Sequence, residues 1–317
     1  MRLTALSIFP LSLLLAIAAA PMPTRAAEPP SPPQRAEVER VLAAARRQQS
    51  EQAAERPLQI VLLADRKDHG PGEHDYPRWQ SRWALLLGGA AASTAPAANL
   101  HGPDRPDPAL LQGAPQVRVT TADQWPTESQ WDTADLVVAF CYLAWTPERI
   151  AQVDRYLQRG GGLVVIHSAT WTRPQPSAEV ADVLGVGGFR RWRHGSMVLE
   201  TMQPEHPICL GLPAKLHLED EPYWPPTPPL DSAHVQVLAG SREQTEPDQA
   251  AVSLQPMFWT YQRGPGRVFG CVLGHYSWTF DDPYFRLWLL RGMAWAAHER
   301  PYRFDDLALR SAAVAEN

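Results

Sequence analysis

The sequence predicts an α/β domain built on a mainly parallel β-sheet, and three observations carry that expectation. LQIVLLAD (58–65), DLVVAFCY (135–142) and GLVVIHSA (162–169) are continuous apolar runs rich in β-branched residues, the pattern of strands buried on both faces. Between the second and third runs lies TPERIAQVDRYLQRGG. It has Thr146 as N-cap, Pro147 in the first turn, Ile150, Val153 and Leu157 on one face, and Gly160 as a stop. A strand, a helix and a strand within about 30 residues make a right-handed parallel unit.

In chain order, residues 1–26 read as an export signal. Arg2 precedes an apolar run over 5–20 that Pro10 interrupts, and small residues offer cleavage after Ala26 or Ala20. A spanning helix needs about 20 apolar residues, so the run predicts removal rather than a stable membrane anchor. The mature chain is then expected in a periplasm or outside the cell. Residues 27–55 form a proline-rich linker followed by Val38, Val41, Leu42 and Ala45 at i, i+3, i+4, i+7. That spacing fits either a helix docked on the domain or a solvated tether. One domain is expected over 56–304, with 305–317 as a C-terminal tail.

Within the domain a helix near 77–87 follows the first strand, and QVRVTTA (116–122) reads as another strand. Residues 89–114, rich in Ala, Pro and Gly, read as a surface insertion. Alternating strands are expected near 196–202, 234–239 and 256–262. Arg263-Gly264-Pro265-Gly266 turns the last of these into RVFGCVLG (267–274). A closing helix near 282–298 places Phe285, Leu289, Met293 and Ala296 on one face.

Charge and motifs narrow the function. Lys+Arg 29 against Asp+Glu 34 leaves no basic footprint for nucleic acid. Cys141, Cys209 and Cys271 lie far apart, which excludes a zinc finger, a redox dithiol and a disulfide scaffold. Gly185-Val186-Gly187-Gly188 does not fit GxGxxG, so no nucleotide cofactor is expected. Ser168, in Ile166-His167-Ser168-Ala169-Thr170, lacks the GxSxG elbow of a hydrolase. Cys141 lacks flanking glycines and reads as a core residue.

Open α/β sheets bind ligands beyond the carboxyl ends of their strands. There the first strand runs into DRKDHGPGEHDYP, with Asp65, Asp68, His69, Glu73, His74 and Asp75. Cys141 and Tyr142 end the third strand, His167 and Ser168 the fourth, and His275, Tyr276, Trp278 and Asp281 follow 267–274. Imidazole suits both acid/base work and metal ligation near neutral pH. One strand-end histidine is more often structural; the set His69, His167 and His275 favours a site. No HExxH pair exists, so a divalent metal would need ligands from distant segments. The stretch His217-Leu218-Glu219-Asp220-Glu221-Pro222-Tyr223-Trp224 sets three acids beside two aromatics in a proline-rich loop. It suits either sugar binding or a loop whose aromatics cap the core. Trp259, Tyr276 and Trp278 add aromatic faces of the kind that pack on pyranose rings.

Several of these segments together resemble the ThuA-like (trehalose-utilisation) family. They are IVLLADRKDHGPGEHDYP, GGGLVVIHSA, His206-Pro207-Ile208, EDEPYW and FWTYQRGPGRVFGCVLGHYSWTFDDPYFRLWLLRGMAWA. The likeness runs from about Leu58 to Phe304 and is most specific in the block that ends LGHYSWTFDDPYF. It implies a flavodoxin-like, class I glutamine amidotransferase-like three-layer sandwich. It also implies a link to disaccharide and keto-sugar metabolism. Carried over residue by residue, it points to His69, His167, Glu221 and His275; as catalytic residues the three histidines would hold a metal or share acid/base work, with Glu221 as their carboxylate partner. Amidotransferases place a nucleophilic cysteine at an elbow where this chain has His167-Ser168, so glutaminase activity is not expected.

The resulting expectation is an exported sugar-processing enzyme acting on a disaccharide or keto-sugar by histidine-based acid/base or metal-assisted chemistry. Its partner would be a small-molecule carbohydrate touched by His74, Tyr142, Tyr223, Trp259 and Tyr276. The alternative is a non-catalytic carbohydrate-binding or scaffold domain.

Overall fold

Three strands form on the apolar runs, and two more, at Val117–Asp123 and Gly266–Cys271, flank them to complete the parallel half of the sheet. The structure, a computed structural model, describes residues 27–48, 55–246 and 250–316. The expected export signal, 1–26, lies outside the described residues. The helices are α1 (Arg35–Gln48), α2 (Tyr76–Gly88), α3 (Glu128–Thr133), α4 (Pro147–Gln158), α5 (Ala178–Leu184) and α6 (Pro283–Ala296). The strands in the parallel half are β1 (Leu58–Ala64), β2 (Val117–Asp123), β3 (Leu136–Ala139), β4 (Gly162–Ile166) and β11 (Gly266–Cys271). Between β4 and β11 in the chain come β5 (Phe189–Trp192), β6 (Gly195–Thr201), β7 (Lys215–Asp220), β8 (Tyr223–Pro226), β9 (Val235–Gln244) and β10 (Val252–Arg263).

A single sheet runs β2-β1-β3-β4-β11-β10-β9-β6-β7, and β5 pairs with β8 as a separate ribbon. Neighbours are parallel from β2 to β11 and antiparallel from there to β7. The parallel half has the 2-1-3-4-5 order of flavodoxin-like folds, with β11 as the fifth strand. The antiparallel half is an extension of that sheet. From β1 the chain crosses through α2 to one side, and from β3 it crosses through α4 to the other. Right-handed crossovers in opposite directions put their helices on opposite faces and leave a switch point between β1 and β3.

On the α2 face, Trp79, Trp83, Phe280 and Phe285 form an aromatic layer that α6 completes. On the α4 face, Tyr156 packs against Trp131 of α3, and its hydroxyl bonds the Gly162 carbonyl at 2.8 Å. The β10–β11 hairpin closes on Gly264-Pro265, where Gly264 at φ +58 supplies the positive φ that a two-residue loop needs at its first position.

Helix α1 docks: Val38, Val41, Leu42 and Ala45 are buried. Its charged flank meets the chain end, with Arg46 on Asp306 at 2.6 Å and Arg35 on Glu316 at 2.9 Å. Two sequence expectations need correction. Residues 89–114 are only partly a surface segment: 101–106 are exposed, but Ala97, Ala98, Leu100 and Leu110 are buried against the domain. Asp281 clamps this segment, accepting from the Leu100 amide at 2.8 Å and the His101 amide at 2.7 Å. The acidic stretch at 217–224 is not a loop. It supplies most of β7 and the start of β8, with Leu218 and Asp220 turned inward while Lys215 and His217 face out. That is the alternation of a strand with one buried face. Among the described residues no helix is long and apolar enough to cross a membrane.

Candidate functional site

Three chain reversals at the carboxyl edge of the parallel strands build one buried cluster. The loop after β1 is stitched to the loop after β11: the His74 amide donates to the His275 carbonyl at 3.0 Å, and the Ser277 amide to the Gly72 carbonyl at 2.7 Å. Asp220, at the end of β7, is fully buried and accepts from the amides of Gly274 at 3.1 Å and His275 at 3.0 Å. Strand β4 ends at Ile166, earlier than its apolar run suggests. His167 then opens a tight 3₁₀ turn (His167–Thr170). His74 sits at φ +42 and His167 at φ +48, left-handed values that non-glycine residues adopt only under constraint.

His74, His167, Glu221 and His275 are all buried, and each offers a ligand atom within 4.8 Å of the others. His167 Nδ1 lies 2.7 Å from the Val272 carbonyl. A carbonyl only accepts, so Nδ1 carries the proton and Nε2 faces the cluster. His74 Nδ1 lies 3.1 Å from Asp68 Oδ1, which likewise turns its Nε2 inward. The inward nitrogens then meet: His74 Nε2 is 2.9 Å from His167 Nε2 and 3.0 Å from His275 Nδ1. Glu221 Oε2 lies 2.9 Å from His275 Nδ1 and 3.2 Å from His167 Nε2. Lone pairs this close repel unless a proton or a cation lies among them.

The electrostatics agree with that reading. Burial, then the neighbouring rings of His167 and His275, hold His74 well below the usual imidazole range, so it is neutral. Burial pushes the Glu221 carboxyl up, but the neighbouring His167 and His275 outweigh it and hold the carboxyl below the usual carboxylate range. Tyr223, fully enclosed, keeps its phenol proton and places the hydroxyl 2.8 Å from His167 Nε2 and 3.0 Å from Glu221 Oε2. Three imidazoles and a carboxylate are the donor set of zinc and related divalent ions. The Asp68 carboxylate on His74 is the outer-shell partner that such ligands use. These residues fit a metal, and the cluster could hold one.

The sequence-predicted residues divide. His167, His275 and Glu221 come together in the cluster. His69 does not join them: it stands at the exposed rim, 2.8 Å from Asp68 Oδ1, in a second group with Asp68 and His74. His74, expected only to touch substrate, takes the inner place. Tyr142 lines the approach, its ring 6.0 Å from His74 and covered by Arg173 at 3.5 Å. Tyr223 contributes its hydroxyl, since its ring is enclosed by His167, Trp171 and Phe189. Tyr276 is buried with its ring stacked on Trp278 at 4.2 Å. Trp259 is corrected outright. It lies in the core at 1% exposure, its indole N–H bonded to the Leu184 carbonyl at 2.9 Å, with no face open to a sugar.

Sequence reasoning missed His194. Its Nε2 lies 3.2 Å from Glu221 Oε1, and its ring lies 4.6 Å from that of His275. It also missed Tyr76, whose hydroxyl sits 2.8 Å from His74 Nδ1 and 2.7 Å from Ser168 Oγ. The strand-end rule could have flagged Tyr76, which closes the first loop. His194 follows a short ribbon strand with no such signal.

A flavodoxin-like sheet with a histidine–carboxylate cluster at its carboxyl edge defines an α/β protein with a candidate metal centre. The family model described as trehalose utilisation, ThuA, matches residues 107–296, and the chain belongs to that family. It is similar in structure to a ThuA-like protein from Bacteroides uniformis, at 16% identity and a TM-score of 0.56, over 80% of this chain and 99% of that one. A ThuA-like protein from Parabacteroides merdae matches at 20% identity and a TM-score of 0.48, over 76% of this chain and 90% of that one. No curated protein matches the chain.

Proposed function

We propose that this ThuA-family chain is an exported enzyme of sugar metabolism, acting on a disaccharide or keto-sugar at the buried histidine–carboxylate cluster. The observation that carries the reading is the convergence of His74 Nε2, His167 Nε2, His275 Nδ1 and a Glu221 oxygen, each turned inward by a bond at its far side or by its neighbours. Those four residues would hold a divalent metal ion, which when bound supplies Lewis-acid polarisation of a sugar oxygen.

The chain's own residues supply the rest. Asp68 and the Val272 carbonyl fix the His74 and His167 tautomers. Tyr223 holds a proton between His167 and Glu221, where it can be passed to a substrate oxygen. His69 and His194 stand on the rim, on Asp68 and on Glu221 respectively, where a substrate hydroxyl would meet them first. The family's description supports the substrate class, and residues 1–26 support export.

Metal analysis of the purified protein, paired with turnover of a panel of disaccharides and keto-sugars, tests this. One bound ion and measurable turnover are expected, both lost in His167→Ala and His275→Ala. Unchanged metal content and unchanged turnover in both variants would overturn the proposal. Sugar binding without product in the wild type would leave a carbohydrate-binding domain instead.

A further inference from the structure

Aromatic faces expected to bind sugar are mostly packed away in this fold, and one that the sequence did not single out is open. Leu111, Trp192, Met202, Leu230 and Val252 are the exposed large apolar side chains among the described residues, and Trp192 is the one aromatic, at 55% exposure. Its position is set by the β5–β8 ribbon, where Trp192 pairs directly with Tyr223. Directly opposed residues of an antiparallel pair point to the same face. The face that delivers the Tyr223 hydroxyl to His167 and Glu221 therefore also carries the Trp192 indole. His194, two residues on, connects them. Its ring is 5.3 Å from Trp192 on one side and 4.6 Å from His275 on the other.

We infer that Trp192 is a sugar-stacking platform at the mouth of the cluster, and that it grips the ring next to the one that reacts. This rests on the proposed sugar reading and adds a specificity-determining residue to it. His194 touches both rings, so a pyranose stacked on the indole meets His194 first, and a second ring joined to it would extend toward the His275 side of the cluster. The exposed indole offers an apolar face to the C–H face of a pyranose, while His194 beside it offers a hydrogen-bonding nitrogen to a hydroxyl. The ligand class is thus a disaccharide or a longer glycoside rather than a free monosaccharide.

Calorimetric titration of the full chain tests it, using trehalose, maltose, cellobiose and sucrose, and then the component monosaccharide of whichever binds. Trp192→Ala is expected to weaken disaccharide binding about tenfold, equivalent to about 1.4 kcal/mol. The monosaccharide should lose much less, and Trp192→Phe should restore most of the disaccharide affinity. Because the indole is exposed, thermal stability should move little in either variant. Equal losses for disaccharide and monosaccharide, or no loss for either, would overturn the platform while leaving the sugar reading intact. A wild-type chain that binds no sugar in the panel would overturn both.

Discussion

Replacing His167 with glycine is expected to damage the fold less than replacing it with alanine. Both changes delete the same buried imidazole and its 2.7 Å bond to the Val272 carbonyl, so those losses cancel in the comparison. What differs is the backbone, held at φ +48. A Cβ in the left-handed region costs about 1–2 kcal/mol, which glycine avoids. Glycine also has the freer unfolded chain, which offsets about 0.4–1 kcal/mol of that advantage. The remainder, about 1 kcal/mol in favour of His167→Gly, corresponds to about 1.5 °C in Tm for a chain of this size. Scanning calorimetry or urea denaturation of the two variants side by side measures it. If His167→Ala proves as stable as His167→Gly, or more so, the strained turn after β4 is not where the structure places it.

Asp68→Asn should weaken divalent-metal binding about 10–100-fold, because the neutral amide no longer orients His74 and His69 as the carboxylate does; chelator competition would show it. Arg286→Met strands the buried Asp281 carboxylate and should cost about 3–5 kcal/mol in urea denaturation. Adding Asp281→Leu should not restore that loss, since Asp281 also holds the Leu100 and His101 amides. Burial already pushes the Asp281 carboxyl up, and removing the guanidinium pushes it further. The native state then binds the proton more tightly than the unfolded chain, so the Arg286→Met deficit should shrink in acid and grow as pH rises. Cys141, Cys209 and Cys271 are buried, with burial raising each thiol, so Ellman's reagent should find none in the native protein and all three after denaturation.

The chemistry of the site is partly legible in the sequence. Histidines at the ends of apolar runs marked the crevice, because a strand's carboxyl end is a local feature of sequence. Which histidine of the first loop turns inward was not readable. His69 and His74 share one glycine- and proline-rich loop, and the choice rests on the His74 amide meeting the His275 carbonyl, far along the chain. Aromatic exposure was equally hidden. Trp259 is covered because Leu184 accepts its indole N–H, whereas Trp192 stays open on a ribbon whose pairing with Tyr223 no local pattern announces.

Periodicity along the chain was enough to establish the parallel strands, the α4 crossover and the amphipathic face of α1, because burial repeats with the spacing of the element that carries it. The antiparallel half of the sheet, the burial of 97–100 and Leu110, and the company kept by Glu221 arise from contacts between segments far apart in sequence. Such contacts depend on which surfaces the folded chain brings face to face, and neighbouring residues carry no imprint of them.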